Sequence, residues 1–157
     1  MNSNKLQAYN SLRNTLNGSL IVCGSTALQL YGLSNSDPND LDLLLLTNDT
    51  ESTPKRIQQD KEKLNLLSMT SGLRPYPEAD PSLIGERFFL IFNYGEVKLN
   101  IHLFIIDKML HSNLCKADFD NQKNILFASP AHIIKAKKIL NRPKDIKTLS
   151  LIAKSIL

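Results

Sequence analysis

Leu20-Ile21-Val22-Cys23-Gly24-Ser25, followed after fourteen further residues by Asp40-Leu41-Asp42-Leu43-Leu44-Leu45-Leu46, is the stretch on which the fold turns. The first run is short, apolar and rich in β-branched residues, as a buried strand is, and Gly24-Ser25 breaks it. From Thr26 the spacing of Ala27, Leu28, Leu30 and Tyr31 predicts a helix that ends at Gly32. A polar loop over residues 34–39, with Pro38 in it, delivers the chain to a second strand that opens at Asp40. Side chains alternate along a strand, so Asp40 and Asp42 point to the same face, where two carboxylates can hold one or two divalent ions. Gly24 lets the backbone turn sharply and approach a ligand. Ser25 sets a hydroxyl beside the free N–H groups of a helix start, where phosphate is favoured. Taken singly, Gly-Ser after a strand is an ordinary turn, and D-x-D at a strand start is more often a solvated edge. Their order gives them weight, because the loop between them is long enough to return the chain beside the strand it left.

Upstream, Leu6, Tyr9, Leu12 and Leu16 recur every three to four residues and describe one face of a helix over residues 3–17, stopped near Asn17-Gly18. Downstream, Thr53-Pro54 reads as an N-cap with proline at the first helical position. It opens a helix whose inner face is Ile57, Leu64, Leu67 and Met69. Residues 71–82 hold Gly72, Pro75, Pro77 and Pro81 and read as a loop that cannot pair as a central strand. Arg87 to Asn93 and Val97 to Ile106 read as two strands joined at Tyr94-Gly95-Glu96, the strongest hairpin signal in the chain. Val97, Leu99, Ile101, Leu103 and Ile105 share the packing face of the second strand, and Lys98, Asn100 and His102 share the other. Residues 107–124 are polar and carry no structural signal until a short strand at Asn124 to Phe127. Ser129-Pro130 repeats the cap-plus-proline signature. It opens a helix with Ile133, Ile134, Ala136, Ile139 and Leu140 inside and Lys135, Lys137 and Lys138 outside or at its edge. Asn141-Arg142-Pro143 interrupts that helix before a last one built on Ile146, Leu149, Ile152 and Ile156. The expected architecture is α/β (α+β): a mixed β-sheet flanked by helices, with C-terminal helices following it.

The chain has 157 residues, 42% hydrophobic and 22% charged, which predicts one domain over 1–157 with a core at about 18–128 and a helical part at about 129–157. Its 19 Lys and Arg against 15 Asp and Glu leave a net charge of +4, enough to suit an anionic small ligand but not to argue for dedicated nucleic-acid binding. Aromatic residues make up 6% and Trp is absent, which argues against base-stacking platforms. Cys23 and Cys115 form neither a disulfide framework nor a zinc spacing and read as free thiols of a reducing compartment. The longest uninterrupted apolar run is only Phe88 to Phe92 and the first residues form no hydrophobic signal core, so the expected location is cytoplasmic, without a membrane partner. His111 and His132 lack metal-spaced partners, and Arg74 and Arg87 flank the proline-rich stretch.

The run Val22-Cys23-Gly24-Ser25, the fourteen-residue spacer and Asp40-Leu41-Asp42-Leu43 resemble the nucleotidyltransferase superfamily related to DNA polymerase β. The resemblance covers about residues 18–150. The ending from Lys135 to Asp145 looks like the helical C-terminal part of small stand-alone bacterial members found in toxin and antitoxin or abortive-infection systems. The resemblance implies a nucleoside triphosphate bound with Mg²⁺, or Mn²⁺, through Gly24, Ser25, Asp40 and Asp42. Lys135, Lys138 and Arg142 are further candidates for the phosphates. The implied reaction is transfer of a nucleoside monophosphate to a hydroxyl of a protein, RNA or small molecule. The family's third carboxylate stands on a later strand. Here the corresponding face offers Lys98, Asn100 and His102, so Asn100 is expected in that place and His102 as the group able to act as base instead. An amide cannot take a proton from an attacking hydroxyl. A catalytically degenerate module, antitoxin-like with a partner protein or sensing a nucleotide, is therefore the alternative to an enzyme.

Overall fold

A computed structural model of the chain describes residues 1–34, 39–75, 84–107, 117–120 and 124–156. Helix α1 (Ser3–Thr15) leads into strand β1 (Ser19–Cys23), helix α2 (Gly24–Leu30) and strand β2 (Asp40–Thr47). Two short helices, α3 (Ser52–Gln59) and α4 (Lys61–Leu64), precede strands β3 (Leu66–Pro75), β4 (Ile84–Tyr94) and β5 (Val97–Asp107). Strands β6 (Ala117–Asp120) and β7 (Ile125–Ala128) and helices α5 (Pro130–Leu140) and α6 (Pro143–Ile156) complete the described elements. The sheet has seven strands in the order β3-β4-β5-β2-β1-β7-β6. It is mixed: β2 pairs parallel to β5 and β1 parallel to β7, and the remaining neighbours are antiparallel. This is the α+β class that the interleaved strands and helices predict.

One face of the sheet is closed. Leu41, Leu43 and Leu45 of β2 lie level with Ile101, Leu103 and Ile105 of β5, all fully buried. Phe88 and Leu90 of β4 continue that layer, and on the other side so do Leu20 and Val22 of β1. Helix α1 seals this face with Ala8, Tyr9 and Leu12, and the Tyr9 hydroxyl donates to the Leu20 carbonyl at 2.8 Å. Burial pushes the Tyr9 phenol above its ordinary value of 10.0, so it stays a neutral donor at physiological pH. The opposite face is only partly covered. Along β2, Asp40 and Asp42 are half-buried between buried leucines, and burial becomes continuous only from Leu43 onward. Two helices, α5 and α6, pack against each other, and α5 also meets α2, so they stand over the end of the sheet where the two aspartates emerge.

Several sequence expectations change here. The helix predicted through Leu67 and Met69 stops at Asn65, whose left-handed φ of 54° ends α4. Leu66 and Leu67 then alternate as strand residues, one buried and the other 60% exposed. Residues 71–75, expected in a loop, belong to β3, which tolerates Gly72 and Pro75 because it is the outermost strand of the sheet. Of the remaining proline-rich residues, 76–83 lie outside the described residues, as do residues 35–38 of the polar loop, His111 and Cys115. Thr53, expected as the cap, lies inside α3, whose cap position is Glu51; ahead of it the Asp49 carboxylate accepts from the Ser52 amide and hydroxyl, and those bonds hold its carboxyl below the ordinary range. Both Ser129 and Pro130 take the predicted cap and first-turn places, with Ser129 Oγ accepting from the His132 amide.

Candidate active site

Strand β1 ends where α2 begins, and the join is Gly24. Its φ of +63° is left-handed, and a Cβ built there falls 2.1 Å from Asp42 Oδ2. Only glycine gives both the backbone conformation and the room for that carboxylate. The antiparallel register sets Cys23 opposite Asp42, and the parallel register on the other side of β2 sets Asp42 opposite His102 and Asp40 opposite Asn100. His102 Nδ1 lies 3.0 Å from Asp42 Oδ1. A carboxylate only accepts, so the bond places a proton on Nδ1, and in the neutral imidazole Nε2 carries the lone pair. The imidazole is further fixed by Phe89, whose ring meets it edge-on at 5.0 Å and 88°, and Arg87 places its guanidinium 4.7 Å from the centre of that phenyl ring.

These groups form one wall of a cleft of about 470 Å³. Cys23, Gly24, Ser25, Asp40, Asp42, Arg87, Phe89, His102 and Phe104 line the sheet side. On the helix side stand His132, Ile133, Ala136, Lys137 and Leu140 of α5, Arg142 between the helices, and Lys144 and Thr148 of α6. The sheet wall carries two carboxylates and the Arg87 guanidinium, and the helical wall carries the three cations Lys137, Arg142 and Lys144. Neither aspartate pairs with a lysine among the described residues. Beneath the site the fully buried Lys5 donates from Nζ to Thr26 Oγ1 at 3.3 Å, tying α1 to the helix that follows Gly24.

Asp40, Asp42 and His102 each offer one ligand atom, and these atoms lie within 4.8 Å of one another. Two metal–ligand bonds of about 2.0–2.6 Å span such separations. The two carboxylates suit a divalent ion, Mg²⁺ or Mn²⁺, that keeps water or phosphate oxygens on its remaining positions, and His102 stands beside it, bonded through Nδ1 to Asp42. Gly24→Ala is expected to cost about 1–2 kcal/mol for the left-handed backbone. It is also expected to weaken Mn²⁺ binding by displacing Asp42, read by titrating free Mn²⁺ by electron paramagnetic resonance against folded variant.

The candidates from sequence divide on this cleft. Gly24, Ser25, Asp40, Asp42, His102 and Arg142 all line it. Asn100, which the register sets opposite Asp40, is exposed and not among the lining residues, whereas His102, two residues further along β5, lines the cleft beside Asp42. Lys135 and Lys138 are exposed on α5 outside the lining. Lys137, expected outside or at the helix edge, is buried one turn after Ile133 and reaches the cleft. Asp145 was missed altogether: it is fully buried and bonds both Lys137 and Arg142. A signal for it exists in the sequence, since an acid two residues after a first-turn proline is placed to cap a helix.

No helix among the described residues is long and apolar enough to cross a membrane. No protein-family model and no curated protein matches the chain. Among solved structures, the chain is similar to that of a proposed nucleotidyltransferase from H. pylori at 16% identity and a TM-score of 0.45, covering 87% of this chain and 59% of that one. It is similar to JHP933 from Helicobacter pylori at the same identity and TM-score, covering 83% of this chain and 51% of that one. The chain thus spans between half and three-fifths of the length of these two structures.

Proposed function

We propose that the chain is a nucleotidyltransferase-like protein that binds a nucleoside triphosphate with Mg²⁺ or Mn²⁺ and transfers its nucleoside monophosphate to a hydroxyl of an acceptor. The observation that carries the reading is the lining of the cleft: Asp40, Asp42 and His102, with Arg87, on the sheet wall, and Lys137, Arg142 and Lys144 on the helical wall. Such a site takes a polyphosphate together with the cation that neutralises it. A divalent ion held by Asp40 and Asp42 would polarise the α-phosphate and offset the charge of the departing pyrophosphate. The apolar part of the lining, Phe104, Ile133, Ala136 and Leu140, leaves room for the nucleoside.

His102 serves as the base in this reading. Asp42 accepts its Nδ1 proton, so Nε2 is free to take the proton of the attacking hydroxyl. The acceptor oxygen bonds to the α-phosphorus as the bond from that phosphorus to the bridging oxygen of pyrophosphate breaks. Pyrophosphate leaves towards the cationic wall. A hydroxyl of protein, RNA or small molecule fits as acceptor.

The placement of Asn100 outside the cleft supports the second reading, a nucleotide-binding module without transfer, because an imidazole stands where a carboxylate base would be. Thermal melting with each of the four NTPs and Mg²⁺ or Mn²⁺ tests binding, and release of pyrophosphate with labelled acceptor tests transfer. His102→Ala is expected to keep the nucleotide-induced rise in Tm and to lose transfer by about 10²-fold or more. Stabilisation without pyrophosphate release selects the binding module, and no stabilisation by any NTP overturns both readings.

A further inference from the structure

Lys137 and Arg142 come from different elements, yet a single carboxylate holds both. Asn141 closes α5 in the left-handed conformation and Pro143 opens α6, so the chain reverses within two residues. The reversal sets Asp145, in the first turn of α6, against Lys137, in the last turn of α5. Asp145 Oδ1 accepts from Lys137 Nζ at 3.2 Å and from Arg142 Nη2 at 3.2 Å. Its Oδ2 accepts from Arg142 Nε at 2.6 Å and from the Arg142 amide at 3.3 Å. Asp145 is fully buried and stands behind the cleft wall, whereas the two cations it holds line the cleft.

Both side chains that Asp145 holds border the cleft where an anion would lie. A side chain fixed in this way loses less freedom on binding than a solvated lysine, which is the effect of preorganisation. Lys135 and Lys138, on the same helix, are exposed and lack the cleft.

We propose that Asp145 is a positioning residue that fixes Lys137 and Arg142 as a polyphosphate-binding pair on the helical wall of the cleft. The proposal rests on the nucleotide reading above and adds to it the subsite that takes the β- and γ-phosphates or pyrophosphate. Asp145 acts only through the two cations and touches no ligand.

Inorganic tripolyphosphate in EDTA is the probe, because it needs neither the base nor the metal held by Asp40 and Asp42. Its affinity is measured by calorimetry for wild type, Asp145→Asn and Arg142→Lys, alongside circular dichroism and Tm. Arg142→Lys keeps the charge but loses the two-pronged bond to Asp145, and it is expected to weaken binding at least fivefold. Asp145→Asn is expected to weaken it about tenfold in protein that remains folded at the assay temperature. Should Asp145→Asn fail to fold, Arg142→Lys decides alone. Variants that are less stable yet bind tripolyphosphate as wild type does would make Asp145 merely structural and overturn the proposal. Wild type that binds NTP with metal but not tripolyphosphate also overturns it while leaving the nucleotide reading intact. Wild type that binds neither overturns both.

Discussion

The double variant Asp40→Asn, Asp42→Asn is expected to lose the whole metal-dependent response to nucleotide while remaining folded. A ligand that binds only the native state stabilises it by about 2.7 kcal/mol at one hundred times its Kd. For a domain of this size that is roughly 5–11 °C in Tm, and the variant should show none of it with Mg²⁺ or Mn²⁺. The fold should survive because both side chains are half-buried at the open end of β2 and the closed face is built by Leu41, Leu43 and Leu45. Asparagine keeps the size of aspartate, and the amide oxygen that replaces the Asp42 carboxylate can still accept the Nδ1 proton of His102. Without ligand the variant should melt at or slightly above the wild-type temperature, since two like charges on one strand face repel. Opposite signs in the two measurements, unchanged or higher Tm alone and no gain with nucleotide, separate a binding site from a structural pair. A wild-type gain that survives the double substitution would remove these carboxylates from the nucleotide site.

The carboxylate pair was legible because strand alternation is a local rule: residues two apart share a face whatever the rest of the chain does. Gly24 was legible for a similar reason, although its contact with Asp42 needed the pairing of β1 with β2. Choosing between Asn100 and His102 was beyond the sequence. Both lie on the same face of β5, and only the register with β2 shows that His102 stands beside Asp42. The prolines of residues 71–82 misled in part because their exclusion holds for central strands, and edge position is a property of the finished sheet. Leu67 and Met69 fitted a helical period, but Asn65 was the local stop signal, a residue type that readily takes the left-handed cap. Lys137 is expected outside the helix or at its edge. Its place four residues after Ile133 put it on the apolar face, and what permits a cation there is an acid supplied by the next helix.

Asp145→Ala is therefore expected to be among the most destabilising single changes outside the apolar core. Removing one member of an ion pair costs roughly 3–5 kcal/mol when both members are buried. Arg142 is half exposed and Lys137 borders the cleft, so both regain some water, and about 3 kcal/mol is the reasonable expectation. The same substitution removes the acceptor for the Arg142 amide at the start of α6 and a negative charge from that helix's first turn. The pH dependence gives an independent check. Burial acts to raise the Asp145 carboxyl, but hydrogen bonds from Arg142 and Lys137, and their charges, outweigh it and hold the group below its ordinary value of 3.8. A depressed acid contributes its stability in full above the unfolded-state value and loses it as pH falls through the lower folded-state value. The difference in unfolding free energy between wild type and Asp145→Ala should thus stay level from neutral pH down to about 5 and shrink below about 4. Denaturant unfolding of the two proteins across that range measures it. A difference that grows on acidification would mean that the carboxyl is held protonated, and the ion pairs to Lys137 and Arg142 would then not be what stabilises the α5–α6 corner.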